Sequence, residues 1–384
     1  MRCVFTGILV ITITLSMACN SQTDTIVVLN QPGYEEANGI CLDTLSKWKL
    51  YAEASDEGLW EGQSSHYILL NRVTSLGGEE DLNPPFYTAL NLYAKGDTIL
   101  LADNATQELV CMNPHGEVFW KAGEQGEGPG HFHGIGSIAS GNYWIAVANT
   151  GLNRIDFFTH SGEFITTESI DNPEDLIALS DTTFVVLSGD HQTGILHIFH
   201  ADSGLIRSFG QIEPDSSMTM GFHFRDNLRG VFIPPDIIAV ISRYEHRLYI
   251  FNLHTEEPIF AGVRDLPCDP SPPYRNYNEE TGQLTTIMFP SISCVFRGPE
   301  GMINIVVDEY MSDGSLLHSN RRNNYAPVTV IDRYDLTGAY LDSYCFPDSG
   351  IYNARILADG RFLGAQQGTG KVFLYEQLEG VQYQ

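Results

Sequence analysis

The stretch ELVCMNPHG (residues 108–116) brings an apolar run to a bulky side chain, Met112, turns on a polar residue and closes on glycine. The same phrase returns as RIDFFTHSG (154–162), ILHIFHADSG (195–204), RLYIFNLHTEE (247–257), VIDRYDLTG (330–338) and KVFLYEQLEG (371–380). Only the copy at 247–257 lacks the glycine. The anchors are Met112, Phe158, Phe199, Phe251, Tyr334 and Tyr375, spaced by 46, 41, 52, 83 and 41 residues. A period of roughly 40–45 residues marks propeller blades, each a four-stranded sheet that cannot bury its own faces and must stack on its neighbours. Six copies predict an all-β chain folded as a six-bladed β-propeller.

Working outward from each anchor gives the rest of a blade. The innermost strands read ALNLYAK (89–95), GIGSIAS (134–140), DLIALS (175–180), LRGVFI (228–233), SISCVFR (291–297) and NARILAD (353–359). Second strands such as DTILLADN (97–104) and DIIAVISR (236–243) follow a short turn, dense in β-branched residues. Outer strands VFWKAG, FITTES, LIRSFG, PIFAG and YLDSYCF complete blades one to five. Blade six lacks one. HYILLNRV (66–73) has the right composition, and pairing it with KVFLYE (371–376) would close the ring and remove two sheet edges. No stretch beyond the N-terminus holds a helical period.

Of 384 residues, 43% are hydrophobic and 18% charged, as in ordinary globular chains. The net charge of −27 repels phosphate backbones and anionic headgroups, which argues against nucleic acid and against membrane contact other than through a lipid anchor. Met1-Arg2, an apolar run over 3–18 and Cys19 form a targeting segment. The run 15–19 resembles a bacterial lipoprotein signal with Cys19 as the lipidated residue. Ser16-x-Ala18 also fits cleavage without a lipid, and an uncleaved anchor is the third option. The expected organisation is a signal peptide over 1–18, a tether and N-terminal extension over 19–65, and the propeller over 66–384. The location is extracytoplasmic, either lipid-anchored to a bacterial membrane or periplasmic or secreted.

Cys41, Cys111, Cys268, Cys294 and Cys345 show no metal-binding spacing. Cys111, Cys294 and Cys345 lie in apolar strand patterns and read as buried thiols, with a Cys268–Cys294 bridge as the alternative for that pair. The spacing of 83 reflects two insertions in blade five, 264–286 and 310–324. The first carries PCDPSPPYRNYNEETG, in which Tyr274, Arg275 and Tyr277 suit a rim that grips a peptide or glycan.

The segment WKAGEQGEGPGHF (120–132) leaves blade one and enters blade two. Its Gly126, Gly128, Pro129 and Gly130 resemble the Gly-x-Gly-Pro-Gly-Glu-Phe phrase of a family of bacterial six-bladed propellers related to the NHL-repeat propellers. The resemblance implies that fold. Many members look like lipoproteins, which agrees with Cys19, and the resemblance implies no particular ligand. His131 departs from the family pattern, which carries Glu. Phe132 is expected to plug between blades. No helix and no Lys-Ser/Thr follows the glycines, so they do not form a phosphate cradle.

Ligands of propellers sit at one mouth of the central channel. The candidates there are His133, Asn172, Arg225, Arg229, Asn353 and Arg355, which form no repeated array. Propeller lactonases need carboxylates and an Asn around calcium, and NHL-type lyases hold zinc with His from separate blades. Neither set assembles from these residues, although His133 could serve in the second. His197 and His200 read as structural. No cofactor is predicted, and no catalytic residue is assigned. The expected function is a cell-envelope binding or scaffold module for a protein, peptide or glycan. The alternative is a metal-dependent hydrolase or lyase using calcium or zinc at the channel mouth.

Overall fold

A computed structural model describes residues 26–27, 67–76, 86, 89–188, 194–201, 203–210, 228–243, 247–263, 274–278, 283–287, 292–309, 328–348, 350–366 and 370–383. Two strands precede the first blade, β1 (Ile26–Val27) and β2 (Tyr67–Leu76). Blade one is β3 (Ala89–Lys95), β4 (Thr98–Asp103), β5 (Glu108–Met112) and β6 (Val118–Ala122). Blade two is β7 (Ile135–Ser140), β8 (Ile145–Asn149), β9 (Arg154–Phe158) and β10 (Phe164–Ser169). Blade three is β11 (Pro173–Ala178), β12 (Thr183–Ser188), β13 (Leu196–His200) and β14 (Gly204–Phe209). Blade four is β15 (Leu228–Ile233), β16 (Ile237–Ser242), β17 (Arg247–Asn252) and β18 (Pro258–Val263). A hairpin of β19 (Tyr274–Asn278) and β20 (Gln283–Ile287) precedes blade five, which is β21 (Ile292–Arg297), β22 (Ile303–Glu309), β23 (Val328–Tyr334) and β24 (Tyr340–Cys345). Blade six has β25 (Ile351–Ile356), β26 (Phe362–Gln366) and β27 (Val372–Tyr383).

The innermost strands touch in the cyclic order β3, β7, β11, β15, β21, β25 and back to β3, so six sheets surround one axis. Each gap between blades holds its own apolar core, for example Leu100, Leu109 and Phe158 between blades one and two, and Ile241, Ile250 and Ile305 between blades four and five. The sequence repeat follows from this stacking. Each anchor reaches back from its third strand into the core shared with the preceding blade. Five anchors are fully buried and Phe199 is half-buried. Burying one such side chain contributes about 1.5–3 kcal/mol.

Opposite every anchor the outer strand carries a β-bulge. The extra residues are Phe119, Ile165, Ile206, Ile259, Leu341 and Val73, each between 37% and 54% exposed. A bulge twists the rim strand and spoils it as a template for another chain, which is how an exposed edge is kept from pairing.

β2 supplies the missing outer strand of blade six, antiparallel to β27. The register differs from the expected one. Val372–Tyr375 faces Arg72–Leu76, because the bulge at Val73 has to lie opposite Tyr375 as it does in the other blades. The earlier residues Tyr67–Leu69 pair in parallel with Ser343–Cys345 of β24, so blades five and six form one eight-stranded sheet. β27 continues beyond Tyr375 to Tyr383 against the start of β2. Within the N-terminal extension, β1 pairs antiparallel with β19 of the blade-five insertion. Cys111 and Cys294 are buried free thiols and Cys345 is half-buried, so Cys294 makes no bridge to Cys268. Cys268, Cys41 and Cys19 lie outside the described residues, as does the segment 1–18. No helix among the described residues is long and apolar enough to cross a membrane.

Candidate functional site

In a sheet that runs from the axis outward, the first and third turns of a blade share one end of the ring, and all other connections share the opposite end. Every turn at the first end has two to five residues. At the opposite end the connections run from three to 28 residues, and 210–227, 264–291 and 310–327 all span it. One face is trimmed to tight hairpins and the other carries the variable chain. Ligand contacts concentrate on such connections when a rigid scaffold presents them.

Just inside the loop-bearing face, five of the six innermost strands bulge against their second strand, β15 being the exception. Sheet register then makes Asn91, Ser137, Asp175, Arg229, Cys294 and Asn353 equivalent. These form a belt of bonds around the axis. Asn91 Nδ2 donates to Ile135 O at 2.9 Å, and Ser137 Oγ donates to Asp175 Oδ1. Asp175 Oδ2 accepts from Gly230 N at 2.7 Å, and Cys294 Sγ accepts from Ala354 N at 3.3 Å. Each bond crosses to the next blade. Glu174 joins the belt by accepting from Leu228 N at 2.8 Å. These carboxylates satisfy buried amides of blade four, which would otherwise be costly.

The glycine loop is equally structural. Arg154 of blade two donates to Glu127 O, Gly128 O and His131 O, at 3.0, 2.7 and 2.9 Å. Fully buried Asp156 pairs with Arg154 and accepts from Asn149, whose amide also donates to His131 O. Phe132 is buried against Phe158, with ring centroids 5.6 Å apart. A Cβ on Gly123, at φ +86°, would stand 2.1 Å from the Phe132 ring, so only glycine fits. The expected plug is present, held by a clamp rather than by a ligand.

Three arginines give the axial wall its chemistry. Arg229 and Arg355 are half-buried; Arg355 turns its guanidinium back onto its own strand, and Arg229 bonds both its own strand and that of blade three. Arg229 Nη1 donates to Leu228 O at 2.7 Å and Glu174 O at 3.1 Å. Arg355 Nη1 donates to Asn353 Oδ1 and Ala354 O, both at 2.7 Å. Neither makes an ion pair among the described residues. By contrast, Arg72, Arg154, Arg207, Arg333 and Arg361 are each ion-paired. Arg243, buried at the end of blade four's second strand, crosses to blade six and lies 4.8 Å from the centroid of Tyr352. Burial raises the Tyr93 phenol above its ordinary range, and the nearby Arg355 charge opposes that rise. Burial likewise raises the Cys294 thiol against the opposing charges of Arg355 and Arg243. Blades four, five, six and one therefore contribute Arg243, Cys294, Arg355 and Tyr93 to one neighbourhood.

The structure joins Asn353 and Arg355 by their 2.7 Å bond on blade six, and Arg229 stands two blades away. His133 is exposed beside the loop-bearing entrance to blade two, its amide held by Asn149 Oδ1 at 3.0 Å. Asn172 is an exposed turn residue at φ +46°, donating to Glu174 Oε1. Arg225 lies outside the described residues. Tyr274 and Tyr277 lie on β19, and their side chains are outside the described set. His197 is buried with Nδ1 2.8 Å from Ser208 Oγ, a packed structural residue as expected. Sequence reading missed Arg243, Tyr93 and Tyr352. Arg243 was legible as the first charge after the apolar run of β16, but nothing local announces that it spans a blade. Among the described residues no three His, Cys, Asp or Glu side chains group so as to hold a metal ion.

No protein-family model matches the chain, and no curated protein matches it in sequence. Solved structures do match in shape. A member of the DUF4221 family from Bacteroides vulgatus aligns with a TM-score of 0.53 and 8% identity, over 82% of this chain and 99% of that one. A Bacteroides fragilis protein provisionally described as exported aligns at 0.51 and 11% identity, over 82% and 96%. A chain of the mitotic checkpoint complex aligns at 0.50 and 12%, over 83% and 95%. At such identities the likeness shows the fold alone. The chain is a six-bladed β-propeller.

Proposed function

We propose that this propeller is a binding or scaffold module of a bacterial cell envelope, engaging a protein, peptide or glycan at its loop-bearing face. One observation carries the reading. Every long connection leaves the ring at the same end, around an axial wall whose polar side chains differ from blade to blade. A purely structural ring has no need of that asymmetry, whereas a recognition surface requires it. The exported description of the Bacteroides fragilis neighbour fits an extracytoplasmic site of action. The alternative, a metal-dependent hydrolase or lyase using calcium or zinc, gains no ligand geometry from the described residues.

The test is partner capture from envelope extract by the full chain and by a chain lacking 264–286. Under this reading the deletion leaves the melting temperature of the ring nearly unchanged and abolishes capture. Capture of the same partner by the deleted chain, and also by a chain lacking 310–324, would refute it. We further propose that Cys19 carries a lipid. Radiolabelled palmitate should enter the wild-type chain and not Cys19→Ala, and equal labelling would remove the anchor.

A further inference from the structure

We infer that the axial wall around Arg355, with Tyr93, Asn353 and Tyr352, is a carboxylate-binding site. This rests on the binding-module reading above and names the chemistry its ligand presents. Arg355 is held in place by two 2.7 Å bonds from one nitrogen, to Asn353 Oδ1 and Ala354 O. Both acceptors are neutral, so its charge is oriented, and no acid among the described residues pairs with it. Of its remaining N–H groups, one meets the Cys294 thiol and the others can meet a planar carboxylate. Placing an arginine half-buried at the axis has a desolvation cost that no acid among the described residues offsets, and an anion in the channel would offset it. Glu174 and Asp175, the acids on the described innermost strands, belong to blade three and accept from amides of blade four.

Neighbouring groups favour the same kind of ligand. Tyr93 donates its hydroxyl to Ser140 O, which fixes its ring beside the arginine. Tyr352 is stacked under Arg243, so a second cation and an aromatic face flank the site. Asn353 is buried with its carbonyl oxygen oriented by Arg355. A carboxylate on a compact, partly apolar body satisfies all of these groups. Two sources carry one: a uronic acid of a glycan, and the C-terminus of a peptide.

The test is calorimetric titration of the full chain, at low salt, with galacturonate and with N-acetylglycine. Galactose and N-acetylglycinamide are the neutral controls. One or both acids should bind where their neutral counterparts do not. Arg355→Met, which keeps the aliphatic stem, should weaken that binding by about tenfold or more, the usual loss for a charge-assisted bond. Arg355→Lys, with a charge but no fork, should fall between the two. Selective binding of galacturonate identifies the glycan source, and of N-acetylglycine the peptide source. Equal affinity in wild type and both variants, or no preference for acids over neutral analogues, overturns the site. Partner capture that survives Arg355→Met but is lost on deleting 264–286 would leave the binding module standing without the carboxylate site.

Discussion

One position after the anchors of blades one, two, four and five stands a polar residue whose side chain closes the hairpin beneath it. Asn113 Oδ1 accepts from His115 N and Glu117 N, Asn252 Oδ1 from His254 N and Thr255 N, and Thr159 Oγ1 from Ser161 N and Glu163 N. Asp335 does the same with a charge, accepting from Thr337 N, Thr337 Oγ1 and Ala339 N at 2.8, 2.6 and 3.0 Å. Partial burial would raise its carboxyl, but those bonds outweigh it and hold the group below its usual range. The stabilisation is present above the unfolded value of about 3.9 and is lost as pH falls through the lower folded value. Asp335→Ala should cost about 1–3 kcal/mol at neutral pH. Asp335→Asn should cost little there, since Asn113 and Asn252 already serve, and should flatten the acid limb of a melting-temperature profile. An unchanged acid limb in Asp335→Asn would show that the charge contributes nothing.

At the scale of elements, β2 holds the most consequence per residue. It buries Leu70 and Leu76, pairs with β27 along its length and touches β24 at its start. Losing the two leucines alone removes roughly 3–6 kcal/mol. A chain lacking residues 1–76 should melt lower and self-associate through the bare edge of β27, and a synthetic peptide of residues 66–76 added in trans should restore both properties. Unaltered melting of the truncated chain would mean that the closure is dispensable. The closing strand was legible because HYILLNRV has the composition of an outer strand and blade six lacked one, while its register was not. Six bulges fix that register, and a bulge leaves no mark in a hydrophobic pattern. The innermost strands of blades three and six begin two residues earlier than DLIALS and NARILAD suggest, for the same reason. Asp175 and Asn353 consequently sit past a bulge rather than at a strand's start.

For the whole molecule, blade number and connection lengths could be read directly, because they follow from a period and from counting. The site was legible only in part. Arg229, Asn353 and Arg355 stood out as polar residues on apolar strands. Arg243 and Tyr93 did not, because their meaning depends on which blades a side chain spans once the ring is closed. The six separate cores also mean that no gap can open without its neighbours tightening, so the axial wall keeps its geometry while the loop-bearing face varies.

The pairing of β2 on two sides has a mechanical corollary. Whatever lies upstream of Tyr67 is joined to the body through a strand gripped by β24 in one direction and by β27 in the other. Pulled along its own length, that strand resists in shear, with many ladder bonds bearing load together rather than parting one after another. The ring would sooner turn on its leash than unravel from it.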